Sequence, residues 1–232
     1  MNRNHDKFYL AEDIKKVKQS FCEVAEVIKF KKKITSIADV GCATGIFPDY
    51  LSKQFPETEI FGIEYLDVLL HKASDNFPDV SFIRGDVLDK DSVSVKFDVI
   101  TMIGVLSIFD DYQSVLANTL SWLKPKGQLI LHNMVSEYDV DVFVKYTPSS
   151  LKPDFEKLES GWNIISQKSL EMVADANNAK VIYSKPFMLN VDLIKREDVI
   201  RSWTEKNISG GKDIFNALHI RQPQRIIVIE KL

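Results

Sequence analysis

Hydrophobic positions follow two periods along this chain. Short apolar runs read as strands at Ile37 to Val40, Glu59 to Ile63, Val80 to Ile83, Phe97 to Met102 and Gln128 to Leu131. Between them apolar residues fall three and four apart, the helical spacing. Phe47, Leu51 and Phe55 mark one such helix. Leu66, Leu69, Leu70 and Ala73 mark another over Leu66 to Asn76, and Val115, Leu116, Thr119, Leu120 and Leu123 a third over Tyr112 to Leu123. Upstream, Ile14, Val17, Phe21, Val24 and Ile28 draw one stripe on a helix predicted over Ala11 to Lys32. Strands alternating with helices predict an α/β fold, a parallel sheet covered on both faces. In such sheets ligands sit at the carboxyl ends of the strands.

The alternation stops at Val135 to Gly161, where Tyr138, Phe143, Tyr146, Pro148, Pro153 and Phe155 lie among acids and lysines, with Trp162 just beyond. Loops of this length inside a compact domain usually carry function, and a substrate lid is expected here. A helix is expected over Asn163 to Asn178, with Asn177 and Asn178 supplying a left-handed cap. A strand at Lys180 to Leu189, a helix at Asp192 to Trp203, a turn at Ser209 to Gly211 and β-rich runs at Ile214 to Ile220 and Arg225 to Glu230 complete the pattern.

Composition narrows the setting. The 232 residues suit one domain, and a net charge of -3 provides no global basic field for nucleic acid. Two cysteines, Cys22 and Cys42, are too few for a disulfide framework, so reduced thiols in a cytoplasmic protein are expected. Met1 to Lys7 lacks a secretory apolar core, and the longest apolar run, Val99 to Phe109, is too short to span a bilayer. No spacing of His and Cys suggests a metal set. Nothing in the pattern sets the oligomeric state.

The chemistry concentrates in Ser36 to Phe47, S-I-A-D-V-G-C-A-T-G-I-F. Strand, small-residue loop and helix form a nucleotide-binding plan, because small residues admit a ligand close to backbone N–H groups. Pro48 falls in the first helical turn, where its missing N–H is tolerated. A dinucleotide fingerprint would need glycine at Ala43 and Ile46, which argues against an NAD-dependent oxidoreductase. Glu64 ends the next strand, nineteen residues after Gly45, where a carboxylate can accept ribose hydroxyls. Asp86, in R-G-D-V, suits an Asx turn after the third strand.

Asp39-x-Gly41-x-Ala43-x-Gly45 resembles motif I of the class I S-adenosylmethionine-dependent methyltransferases, D/E-x-G-x-G-x-G, with Ala43 at the middle glycine. L-K-P-K-G, Leu123 to Gly127, resembles that family's L-K-P-G-G turn, and V-L-S-I, Val105 to Ile108, stands where many members carry V-L-E-H. The resemblance runs from about Thr35 to Phe187. It implies a doubly wound, mostly parallel seven-stranded sheet, the Rossmann-like methyltransferase fold, closing in an antiparallel hairpin. A single domain would then comprise an N-terminal helical segment (1–33), a cofactor core (34–134) and acceptor-side insertions (135–162 and 192–224). Phe8 and Tyr9 would help to cover the site.

The implied cofactor is S-adenosylmethionine, leaving as S-adenosylhomocysteine. The implied cofactor residues are Asp39, Gly41, Cys42, Ala43, Thr44, Gly45, Glu64, Tyr65, Asp86, Val87, Ile103 and Gly104, with Asp86 on the adenine amino group. His132, after the fifth strand, is the candidate general base; a histidine hydrogen-bonded within the fold is the alternative. The expected acceptor is a small molecule, a sugar or another metabolite, methylated at oxygen. A noncatalytic nucleotide-binding module is the competing reading, since Ser107 and Ile108 replace the family's acid and histidine.

Overall fold

A computed structural model describes residues 10, 17–149, 152, 154–195 and 200–232. The first described helix, α1 (Gln19–Ile28), is shorter than the stripe predicts: Val17 precedes it and is exposed, while Phe21, Val24 and Ile28 are buried. Phe8, Tyr9 and Ile14 lie outside the described residues. The alternating units follow as β1 (Ser36–Val40), α2 (Ile46–Gln54), β2 (Glu59–Glu64), α3 (Asp67–Asn76), β3 (Ser81–Arg84), β4 (Phe97–Ile103), α4 (Tyr112–Ser121) and β5 (Leu123–Ser136). Beyond them come β6 (Lys145–Tyr146), β7 (Glu159–Ser160), β8 (Ile165–Ser166), α5 (Gln167–Ala176), β9 (Ala179–Pro186), β10 (Trp203–Lys206), β11 (Lys212–Phe215) and β12 (Gln224–Lys231).

The sheet order is β3-β2-β1-β4-β5-β12-β9, with β8 attached to the end of β5. β1 to β5 are parallel, and β12 runs antiparallel between β5 and β9. Every residue of β1 is buried, as a central strand with both faces covered requires. Its alternate side chains feed two cores. Ala38 and Val40 pack with α4 and α5 through Val115, Leu116, Leu120, Leu170 and Ala174. Ile37 packs with α1 and α2 through Phe21, Val24, Ile28, Phe47 and Leu51.

Three expectations change. L-K-P-K-G is not a turn before the strand but its opening: Phe97 pairs with Leu123 and Val99 with Gln128, so Lys124 to Gly127 bulge against the single residue Asp98. Lys126 has φ 62, which lets the backbone loop out, and Lys124 Nζ anchors it 3.0 Å from Asp98 Oδ2. Trp203 does not end a helix; it opens the β10–β11 hairpin, turned at Gly210 with φ 78. Residues 192–195 have no regular structure and 196–199 lie outside the described residues. The β-rich run from Ile214 stops at Phe215, because Asn216 Oδ1 accepts the Leu218 N–H and turns the chain. Asn178, with φ 52, provides the left-handed cap after α5.

The stretch from Val135 to Gly161 is tied down rather than open. β6 and β7 pair, and Val142 bridges Ile164. Asn163, fully buried, accepts the Val144 N–H at 2.9 Å and donates to Phe109 O and Asp110 Oδ1 at 3.1 and 3.0 Å. Lys145 pairs with Asp110. These bonds fix the insertion to the loop after β4. Asp111, by contrast, caps α4 by accepting the Ser114 N–H at 3.1 Å.

Candidate functional site

β1 ends in a loop whose backbone three times enters the left-handed region: Gly41 at φ 72, Ala43 at 49 and Gly45 at 83. Gly41 and Cys42 N–H groups bond Ile63 O at 2.8 and 3.2 Å, which folds the loop over the end of β2. A Cβ on Gly41 would lie 2.5 Å from Val105 Cγ2. Gly41→Ala is therefore expected to lower stability by about 1–3 kcal/mol from backbone strain and to weaken nucleotide binding. Denaturant melts and calorimetry check it. Ala43 bears the left-handed strain with a side chain, offset by its N–H bond to Glu64 Oε2 at 3.0 Å.

Glu64 is the hub. It is 7% exposed, and Oε1 accepts the Tyr65 and Leu66 N–H groups at 2.9 and 3.0 Å. One buried carboxylate thereby joins the loop after β1 to the turn into α3. Asp39 lies behind the loop, accepting from Thr101 Oγ1 at 2.8 Å. Burial pushes its carboxyl up to about 7, opposed by the Thr101 bond, with the Glu64 charge adding and Lys18 subtracting. Asp86 Oδ1 accepts the Leu88 N–H at 2.9 Å, the Asx turn, which pins its side chain at the end of β3.

At the end of β4, Gly104 has φ 72, its N–H bonds His132 O at 2.8 Å, and a Cβ there would enter open space. His132, on β5 beside Ile103, is 7% exposed and meets Phe187 edge-on at 4.5 Å. Burial pushes its imidazole down to about 4, so it is neutral at pH 7.

A cleft of about 2080 Å³ runs along this edge. Gly41, Ala43, Glu64, Tyr65, Asp86, Val87, Ile103, Gly104 and His132 line it. Asp39, Cys42, Thr44 and Gly45 do not; they are the loop's buried underside, with the Cys42 thiol beneath Gly62 and pushed up by burial. Phe155 and Trp162 from the stretch 135–162, and Leu193, Ser202 and Gln222 from 192–224, line the cleft as well. Lys18 and Gln222 carried no sequence signal, because distant segments bring them to the cleft; Ser107, from the V-L-S-I stretch, lines it too. Among the described residues no group of His, Cys, Asp and Glu could hold a metal ion, and no helix is long and apolar enough to cross a membrane.

Comparison with known proteins matches residues 38–129, the span holding this loop, Glu64 and Asp86, to a family described as methyltransferase domain. Residues 38–129 thus resemble a methyltransferase domain. The domain is similar to a malonyl-[acyl-carrier protein] O-methyltransferase of Halalkalibacterium halodurans, 33% identical over 106 residues, covering 43% of this chain and 39% of the relative. It is also similar to a trans-aconitate 2-methyltransferase of Yersinia pseudotuberculosis, 28% identical over 93 residues, covering 40% and 36%. The chain thus spans well under half the length of these two relatives. The fold of the chain matches that of CalS10, an amino pentose methyltransferase of Micromonospora echinaspora solved with S-adenosylmethionine: TM-score 0.60, 14% identity, covering 100% of this chain and 98% of that one.

Proposed function

We propose that the chain transfers a methyl group from S-adenosylmethionine to an oxygen of a small-molecule acceptor by in-line displacement. The observation carrying this is the convergence, on one cleft edge, of the left-handed Gly41–Gly45 loop, the Glu64 carboxylate, the Asp86 turn and the open space beside Gly104. That edge fits the cofactor: Gly41 and Ala43 offer backbone, Glu64 faces the ribose hydroxyls, and Asp86 with Val87 faces the base. When bound, S-adenosylmethionine supplies an activated methyl carbon on a sulfonium. The chain's task is position and exclusion of water, and orientation alone can contribute about 7–11 kcal/mol.

The two insertions, 135–162 and 192–224, supply the acceptor wall. His132 is the acceptor-side group. A neutral imidazole can take the proton of a hydroxyl or donate to an oxygen that has none to lose. Oxygen as acceptor atom is supported by the O-methyltransferase among the relatives. Nitrogen is the second reading, because another relative is a sugar N,N-dimethyltransferase of Streptomyces venezuelae.

Calorimetric titration with S-adenosylhomocysteine tests the cofactor reading, with NAD as control; binding of NAD alone overturns it. His132→Ala is expected to lower turnover at least tenfold while leaving S-adenosylhomocysteine affinity within about twofold. Loss of nucleoside binding would instead make His132 a structural residue.

A further inference from the structure

Three residues that line the cleft each keep one buried polar atom unbonded. Among the described residues, Ser107 Oγ, His132 Nε2 and Gln222 Nε2 have no hydrogen-bond partner. Ser107 is 1% exposed and Gln222 4%. A buried polar atom left unpaired costs stability, so few persist in a folded protein without a use. The reaction proposed above uses the His132 nitrogen. Nothing in it uses Ser107 or Gln222.

Each of these two is held so that a single group is left over. The Ser107 N–H donates to Asn133 Oδ1 at 3.2 Å, and its carbonyl accepts the Asn163 N–H at 2.7 Å, so the backbone is satisfied and the hydroxyl is not. The Gln222 N–H donates to Ile214 O at 2.8 Å, and its Oε1 accepts the Ser202 hydroxyl at 2.8 Å. That bond orients the amide and leaves its NH2 end over. Both residues are anchored to one strand end. Asn133 belongs to β5, and the carbonyl of Pro223, beside Gln222, accepts the Val135 N–H at 2.8 Å. Asn133 and Val135 are two residues apart, so the two anchors stand about 7 Å apart along β5, next to His132.

The cations that line the cleft are already engaged. Lys145 pairs with Asp110, Lys157 pairs with Asp154 at 3.1 Å, and Lys18 and Arg201 each interact within the chain as well. The three residues with an atom to spare are neutral: a serine hydroxyl, a glutamine amide and an uncharged imidazole.

We propose that Ser107 and Gln222 recognise the methyl acceptor, and that this acceptor is an uncharged polyhydroxylated molecule. Gln222 Nε2–H donates to one of its oxygens, the Ser107 hydroxyl bonds a second, and His132 meets a third. Hydroxyls both donate and accept, so a molecule carrying several completes all three groups. A site built to bond such groups rejects analogues that lack them. The inference rests on the methyltransferase reading and narrows its acceptor.

The test uses the S-adenosylhomocysteine complexes of wild type, Ser107→Ala and Gln222→Met, followed by saturation-transfer NMR. The polyol probes are myo-inositol, D-xylose and glycerol. Benzyl alcohol serves as a single hydroxyl on an apolar body, and malonate as a charged probe. At least one polyol is expected to bind wild type, with affinity falling about tenfold or more in Gln222→Met and about threefold or more in Ser107→Ala. S-Adenosylhomocysteine affinity should stay within about twofold in both variants, since neither atom is assigned to the cofactor. The ligand-free melting temperature of Ser107→Ala should stay level or rise, because the hydroxyl it removes has no partner to lose.

The proposal is overturned if wild type binds no polyol, if it binds malonate in preference, or if all three proteins bind the polyols alike. A tenfold loss of S-adenosylhomocysteine affinity in either variant overturns it too, by assigning that atom to the cofactor. So does a clear fall in the Ser107→Ala melting temperature, which means that the hydroxyl is bonded in the folded chain. Should Gln222→Met not fold, Gln222→Asn withdraws the amide by one methylene and is read in the same way. Wild type that binds no S-adenosylhomocysteine refutes the methyltransferase reading, and polyol titration of the ligand-free proteins then decides the pair by itself.

Discussion

S-Adenosylmethionine is expected to bind about 25-fold more weakly at pH 5.5 than at pH 7.5, with Asp39 as the cause. Burial holds this carboxyl at about 7 in the ligand-free protein. A cationic cofactor in the adjacent cleft favours the ionised form, so binding releases the Asp39 proton and becomes harder as pH falls below 7. His132, at about 4, stays neutral through this range and does not contribute. Asp39→Asn should bind weakly with no pH slope; a wild-type slope in that variant would assign the proton elsewhere. Stability carries the opposite sign. A carboxyl raised from its ordinary value near 3.8 to about 7 contributes most below pH 4, and that contribution is lost as pH rises through 7. Ligand-free Asp39→Asn should therefore lose less stability than wild type between pH 5 and 8, measured by urea melts.

Glu64→Ala is expected to abolish nucleoside binding, a loss of at least a hundredfold. Three N–H groups, from Ala43, Tyr65 and Leu66, converge on this carboxylate. Hydrogen bonds to a charged, buried group contribute roughly 1.5–3 kcal/mol each. Removing the acceptor leaves three donors short and frees the left-handed stretch at Ala43, so the loop loses its shape before any ribose contact is counted. Glu64→Gln keeps one oxygen and should fall between the two proteins in S-adenosylhomocysteine affinity and in melting temperature. If Glu64→Ala binds S-adenosylhomocysteine like wild type, Glu64 is not part of the site.

Much of this architecture was legible because its cause is local. Buried strands such as Ile37–Val40 are continuous apolar runs, helices such as Tyr112–Ser121 repeat at three and four, and Gly41 and Gly45 stand where only left-handed backbone fits. What escaped depends on contacts between distant segments. The two-residue ladders at Lys145 and Glu159 are too short to show a period. Trp203 looked helical beside Val199 and Ile200, but pairing with Phe215 makes it a strand. L-K-P-K-G contains turn residues, yet β4 draws it into the sheet as a bulge. In the site, Glu64 and Asp86 could be placed from their distance after a strand. Lys18 and Gln222 could not, since their positions depend on where distant segments return.

The placement of β12 bears on how the chain acquires its shape. Gln224–Lys231 inserts between β5 and β9, although it is the last of the sheet's strands along the sequence. During synthesis β1 to β5 can assemble as they emerge, while β5 and β9 each present an unpaired edge until some hundred residues beyond β5 have left the ribosome. Pairing at such separation is slow, which exposes those edges to neighbouring chains. The side of the cleft that Gln222 lines also forms last, since Gln222 reaches it only when β12 has docked.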